Sequence, residues 1–325
     1  MSTVAQSISA EAVRNIDGLE LQCPRCGGGM KLRIASQEST FACIECLFLL
    51  MRQDGIWRAL PDERLAYFSQ FMADYQMIRA AEGRGSNTAD YYLGLPYKDS
   101  SGKNSSQWKI RACTFGYVRK HILPKLPGSA RILDLGAGNA WMSYRLSQMG
   151  FRPVAVDLLV NDQDGLGAAK HYEDQIPKLF PRFQAESNRL PFAAAQFDAI
   201  IFNASFHYAE SYTTVLGEAM RCLKDGAIVI IADTPWYSQQ ASGKQMLAER
   251  RAIFLNRFRT ASNSIPSLEY LTDAQLSELE ETFGIHWERH APFYGIRWTM
   301  RPIMASLRRR REPARFRIYC ARKIA

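Results

Sequence analysis

The chain has 325 residues, 47% of them hydrophobic and 22% charged, enough for a full α/β domain with a small added module and an ordinary globular core. No run of about 18 apolar residues occurs. The N-terminus also lacks a basic-then-apolar leader, so neither a membrane span nor export is predicted and a cytoplasmic protein is expected. The formal charge of +9 is local: between Arg297 and Lys323 ten Arg or Lys face one acid, Glu312, and the rest of the chain is neutral.

Four of the seven cysteines fall into two pairs, Cys23-Pro-Arg-Cys26 and Cys43-Ile-Glu-Cys46, with 16 residues between them and Gly27, Gly28 and Gly29 directly after the first. Two tight turns that each present two thiolates close a tetrahedral site, which predicts one structural Zn2+ in a small ribbon over residues 1–60. A redox C-x-x-C would stand once, beside a βαβ unit. The span 21–58 carries five basic and three acidic residues, a weak grip for nucleic acid, so docking of a protein partner through the ribbon stays open.

Residues 61–127 form a connecting region. Leu65, Phe68, Phe71, Met72, Tyr75 and Ile78 recur at helical spacing, predicting an amphipathic helix. The Gly-, Ser- and Asn-rich stretch after it holds Tyr91, Tyr92, Tyr97 and Trp108, more large aromatics than a plain linker uses, which predicts a lid or pocket wall as readily as simple packing. A second helix then runs to the stops at Pro124 and Pro127.

From residue 128 to 325 strands and helices alternate. Apolar runs place strands at 130–135, 152–157, 181–186, 197–202 and 227–232, with a closing antiparallel pair at 284–291 and 315–322 around the basic segment. The expected fold class is α/β: a doubly wound, mostly parallel, seven-stranded sheet with the zinc ribbon at its N-terminal side. His286 and His290 stand four apart, but on a strand they do not share a face as a metal pair would on a helix.

The stretch "RILDLGAGNAW" carries the ligand signal. Gly136 and Gly138 follow a strand and open a helix, and Asp157 ends the next strand 19 residues later, which also fits a dinucleotide fold. Trp141 occupies the place of that fingerprint's third glycine, and an extra acid, Asp134, precedes the loop. A carboxylate there burdens a pyrophosphate and suits a cation, and no phosphate-binding lysine follows. Together with "ESNRLPFAAAQFDAIIFNASFHY", these motifs resemble the successive signatures of class I S-adenosylmethionine-dependent methyltransferases. The resemblance spans about residues 128–325 and implies a Rossmann-like methyltransferase fold.

It also implies roles. Asp134 would order the loop and the methionine ammonium, Gly136, Ala137 and Gly138 would let the backbone approach, and Asp157, followed by Leu158, would accept from the ribose hydroxyls. Glu186 would meet the adenine amino group with Ser187 beside it, and Asn203 would border the reacting methyl. His207, leaving the fourth strand, is the candidate general base or positioning group, with Tyr208, Trp236 and Tyr237 as candidate aromatic walls.

Two acceptor classes remain at this point. A small-molecule or lipid-like acceptor, methylated at O, N or activated C, fits the aromatic-rich segment. The residues Met300, Ile303, Met304 and Leu307 running into Arg308–Arg311 suit an anionic membrane surface, at the inner face of the membrane, or a phosphorylated substrate. Ribosomal RNA base methyltransferases that carry a zinc module have a similar domain order, which makes RNA the alternative. A non-catalytic zinc-ribbon adaptor is the second alternative.

Overall fold

A computed structural model of the chain describes residues 15–35 and 38–324. Residues 1–14, 36 and 37 of the expected ribbon module, and residue 325, lie outside the described residues. In chain order the elements are β1 (Asn15–Ile16), β2 (Leu19–Glu20), β3 (Met30–Ala35), β4 (Glu38–Cys43), β5 (Leu49–Gln53), β6 (Ile56–Arg58), α1 (Asp62–Ala81), α2 (Ala89–Gly94), α3 (Ser105–His121), β7 (Arg131–Leu135), α4 (Trp141–Gln148), β8 (Arg152–Asp157), β9 (Arg182–Gln184), β10 (Phe197–Asn203), α5 (Tyr212–Cys222), β11 (Leu223–Ala232), α6 (Gln240–Phe258), α7 (Asp273–Phe283), β12 (Glu288–His290), α8 (Ile296–Thr299), α9 (Arg301–Leu307) and β13 (Ile318–Arg322).

The strands β7, β8, β10 and β11 read as unbroken apolar runs because both faces of the sheet are covered. Alternate residues serve opposite layers: Leu133, Leu135, Ile200, Phe202, Val229 and Ile231 pack into one core, Ile132, Ala199, Ile201, Ile228 and Ile230 into the other. Strand β7 lies between β8 and β10, both parallel to it. This is the point where the winding reverses, and the crevice at the strands' C-terminal ends is where open α/β sheets bind ligands.

The expectation of seven strands is corrected. Among the described residues the sheet has eleven, in the order β12-β13-β11-β10-β7-β8-β9-β6-β5-β4-β3, parallel in the middle and antiparallel at both ends. The cause is β6, a three-residue strand that pairs parallel with β9 and carries the cysteine-bearing hairpins onto the sheet edge. Trp57 of β6 stacks on Phe183 of β9, with ring centroids 6.4 Å apart, and meets Phe41 of β4 at 5.6 Å. The apolar core therefore runs without a break from the ribbon into the sheet. At the other end β12 and β13 pair antiparallel as expected, with His290 opposite Ile318.

Helix α7 shows how locally the boundaries are written: Thr272 and Gln275 form a reciprocal capping box at its start, and Gly284 ends it at φ 62°. Among the described residues no helix is long and apolar enough to cross a membrane.

Candidate active site

The loop after β7 turns on glycine for a steric reason. Gly136 sits at φ 75°, and a Cβ there would lie 2.2 Å from the Cβ of Ser205. Both Gly136 and Ala137 donate their amides to the carbonyl of Val156, pinning the loop to β8. Gly138 donates to Asp157 Oδ2 at 2.8 Å, and Leu159 donates to the other oxygen, Oδ1, at 2.8 Å. Asp134, 1% exposed, accepts from the amide and hydroxyl of Ser143 in α4. The loop, the second strand and the first turn of α4 are thus cross-tied by two carboxylates.

These carboxylates face a cavity that opens to solvent. All nine expected cofactor residues (Asp134, Gly136, Ala137, Gly138, Asp157, Leu158, Glu186, Ser187 and Asn203) line it. Burial pushes Asp134 up to about 7 and Asp157 up to about 6, because an ionised carboxylate loses water there and the two acids lie near further carboxylates. Asn203 Oδ1 is buried with no hydrogen-bond partner among the described residues. An unpartnered acceptor beside two acids fits a ligand that donates hydrogen bonds and carries positive charge.

The roof comes from α1. Its residues Phe68, Phe71, Tyr75 and Arg79 line the cavity. The helix is fixed at both ends: Arg64 makes a bidentate ion pair with Glu186 at 2.7–3.1 Å, and Arg79 pairs with buried Asp164. Between them Thr260 donates to Asp74 Oδ2 at 2.6 Å. Helix α3 adds Trp108 and Arg111. Arg111 has no hydrogen-bond or ion-pair partner among the described residues. Its pKa is lowered, first by burial and then by Arg84 and Arg79.

Other expectations are redrawn. His207 is not part of the wall: Phe206 and Tyr208 on either side of it line the cavity. These three residues form a 3₁₀ turn, in which successive side chains point about 120° apart, so the middle one turns into the body. The His207 ring is buried beside Tyr208, and burial lowers its pKa to about 4, so it is neutral at pH 7.

Of the four aromatics Tyr91, Tyr92, Tyr97 and Trp108, only Trp108, in α3, lines the cavity. Tyr91 and Tyr92 are core residues, and the Tyr92 hydroxyl is committed to backbone carbonyls at Ser86 and Gln163. Trp236 lies beneath Arg317 at 3.8 Å, away from this wall. His286 pairs with Glu280 while His290 lies against Tyr117, so the two histidines do not meet.

The four ribbon cysteines converge, with all Sγ atoms within 4.8 Å of one another. Cys23 and Cys46 are 3.6 Å apart and Cys26 and Cys43 3.4 Å. A tetrahedral site with bonds of about 2.3 Å has S···S edges of roughly 3.8 Å, so the set fits such an ion.

Residues 133–231 match the protein family described as "Methyltransferase domain". That stretch holds the glycine loop, Asp134, Asp157, Glu186 and Asn203 of the cavity wall. No curated protein matches the chain's sequence. Among solved structures the chain is similar to the YcgJ protein of Bacillus subtilis, at 13% identity over 66% of this chain and 99% of that one, with a TM-score of 0.47. It is also similar to 1,6-didemethyltoxoflavin-N1-methyltransferase of Burkholderia thailandensis, solved with 1,6-didemethyltoxoflavin and S-adenosylhomocysteine bound, at 17% identity over 90% and 98%, TM-score 0.47. A third is an S-adenosylmethionine-dependent methyltransferase of Methanosarcina mazei, at 16% identity over 63% and 97%, TM-score 0.42. At these values the likenesses say nothing of the acceptor.

Proposed function

We propose that the cavity beneath α1 holds S-adenosylmethionine and that its methyl group passes by in-line displacement to a small-molecule or lipid-like acceptor. The observation that carries this is the convergence of two acids, the stapled glycine loop, Glu186 and Asn203 on one cavity roofed by aromatic side chains. When bound, the donor supplies a methyl carbon already activated by sulfonium, so the protein's task is alignment more than proton transfer.

Asp157 accepts the ribose hydroxyls with the lone pairs that Gly138 and Leu159 leave free. Asp134 orders the loop and draws the methionine ammonium, Gly136, Ala137 and Gly138 give close backbone approach, and Leu158 and Ser187 flank the base. Glu186 meets the adenine amino group while it remains tied to Arg64. Asn203 borders the methyl. Arg111, the cavity-lining guanidinium without a partner, takes the methionine carboxylate. On this assignment Arg111→Gln weakens donor binding by roughly 10- to 100-fold, the worth of one hydrogen bond to a charged group. Equilibrium dialysis with labelled donor measures it, and an unchanged Kd removes Arg111 from the donor site.

Phe68, Phe71, Tyr75, Trp108, Tyr208 and Ile265 give the rest of the wall an apolar, flat-sided character that suits a lipid-like or aromatic acceptor. Burial holds the phenols of Tyr75 and Tyr208 above their ordinary pKa, so both are protonated at pH 7 and serve as walls or donors. His207 receives no role as base, since it lies off this wall. Incubation with methyl-labelled donor and either total lipid extract or ribosomal RNA separates acceptor classes. Label extracted into the organic phase is expected, and label retained on RNA overturns the reading.

We assign a structural Zn2+ to Cys23, Cys26, Cys43 and Cys46. Elemental analysis of the purified chain should give about one zinc per molecule. Cys43→Ser should lower both the zinc content and the thermal midpoint.

A further inference from the structure

Helices α8 and α9 cross the surface without burying any of their residues. Ile296 and Leu307 are each 75% exposed, Ile303 53%, and Met300 and Met304 41%. Their spacing of three, four and seven puts them along one helical stripe. A soluble face of this kind normally carries polar groups, and singly scattered apolar residues need no explanation, but a row of them does.

The same segment is the seat of the chain's charge. Arg297, Arg308, Arg309 and Arg310 are exposed and make no ion pair among the described residues, while Arg311 is tied to Glu249 and Arg315 to Glu312. Arg301, Arg309, Arg310 and Arg311 share one groove with Tyr237, whose acid is the already paired Glu249. The guanidinium of Arg301 also covers the Trp298 ring at 3.9 Å, and Trp298 stacks on Phe316 at 5.5 Å, so the segment is seated on an aromatic base.

We infer that α8 and α9 form a membrane-docking surface that lays its apolar stripe into the interface of an anionic bilayer while the arginine groove takes lipid phosphate and carboxylate groups. Charge complementarity selects this occupant. The free arginines have no acid of their own, and an apolar stripe beside unpaired cations matches a surface that is both oily and negative.

The surface is joined to the cavity. The Tyr294 hydroxyl lies 2.9 Å from Thr114 Oγ1, and Cys113 Sγ lies 3.2 Å from the carbonyl of Phe293, both on α3, the helix that brings Trp108 and Arg111 to the cavity wall. The segment that leads into the docking surface is thus tied to a helix of the cavity wall.

Sedimentation of the full, zinc-loaded chain with vesicles tests this, and it needs neither donor nor acceptor. With phosphatidylcholine vesicles containing about 30% phosphatidylserine, binding is expected, and with pure phosphatidylcholine it should be far weaker, since each arginine near an anionic surface contributes about fivefold. Changing Arg308, Arg309 and Arg310 together to Gln should cost roughly 100-fold in partitioning, and raising salt should mimic the change. Leu307→Glu should also release the protein from vesicles, with an unaltered thermal midpoint because that side chain is exposed.

Equal binding to neutral and anionic vesicles, or indifference to the triple Gln variant, overturns the inference. So does a lipid-independent dimer that Leu307→Glu dissociates, or RNA binding lost in the triple variant when vesicles are not bound at all.

Discussion

Replacing Asp157 with alanine should abolish the donor-induced rise in thermal midpoint while leaving the chain folded. The carboxylate stands at the end of β8 with one oxygen toward Gly138 and the other toward Leu159. On the proposed assignment, losing two charge-assisted hydrogen bonds to the ribose weakens donor binding by at least about 100-fold. The empty protein loses an acceptor for two loop amides but also sheds a poorly solvated charge, so its stability moves much less than its affinity. A thermal-shift series with increasing S-adenosylmethionine separates the two effects. An undiminished shift in the variant removes Asp157 from the site.

The same two acids give opposite pH slopes to stability and binding. Burial raises Asp134 from 3.8 to about 7 and Asp157 to about 6. In the unfolded chain both ionise near pH 4, and in the empty fold they ionise only as pH passes through 6 to 7. Stability that is present below pH 4 is therefore lost as pH rises toward 7, on the order of a few kcal/mol from this pair. On the proposed assignment donor binding uses the ionised forms and should strengthen over the upper part of that range. Asp134→Asn keeps an acceptor for Ser143 without the charge, so it should raise the midpoint of the empty protein at pH 8 and weaken its donor binding.

Trp57→Ala carries the second large effect, on stability. Trp57 is 6% exposed, stacked on Phe183 and edge-on to Phe41, and it is the joint between ribbon and sheet. Truncating a buried tryptophan costs about 3–5 kcal/mol. Because β9 leads directly into Ala185 and Glu186 on the cavity wall, donor affinity should fall along with the urea midpoint. A further tie points the same way: the Gln22 amide donates to Pro191 at 3.1 Å, just past that wall. A chain that unfolds in two separate steps, with the cavity intact after the first, would show that the ribbon is an appended module.

What the sequence makes legible is local chemistry. The glycine loop, the acids at strand ends and the paired cysteines are short-range patterns, and the apolar runs of β7, β8, β10 and β11 declare strands buried on both faces. Long-range pairing is where legibility ends. The amphipathic pattern of α1 shows that Phe68 and Phe71 face something apolar, yet nothing local tells that Arg64 reaches Glu186, 122 residues away, or that Arg79 reaches Asp164.

The aromatic stretch reads equally as pocket wall or as packing, and both occur: Trp108 lines the cavity while Tyr91 and Tyr92 are core. Strand β6 escapes notice because three residues are too few to show a period, and its pairing with β9 is what turns a seven-stranded expectation into eleven. His207 misleads for the opposite reason. Its position after the fourth strand is right, but the 3₁₀ turn decides which neighbours face the cavity.

Calorimetric titration of the zinc-loaded protein at pH 8 with S-adenosylhomocysteine, and in parallel with NAD, decides which nucleoside the cavity takes. A saturable 1:1 heat with the sulfur nucleoside and none with the dinucleotide is expected, because Asp134 and Trp141 stand where a pyrophosphate would need neutral backbone and a third glycine. Heat with NAD, or none with S-adenosylhomocysteine, would contradict that assignment.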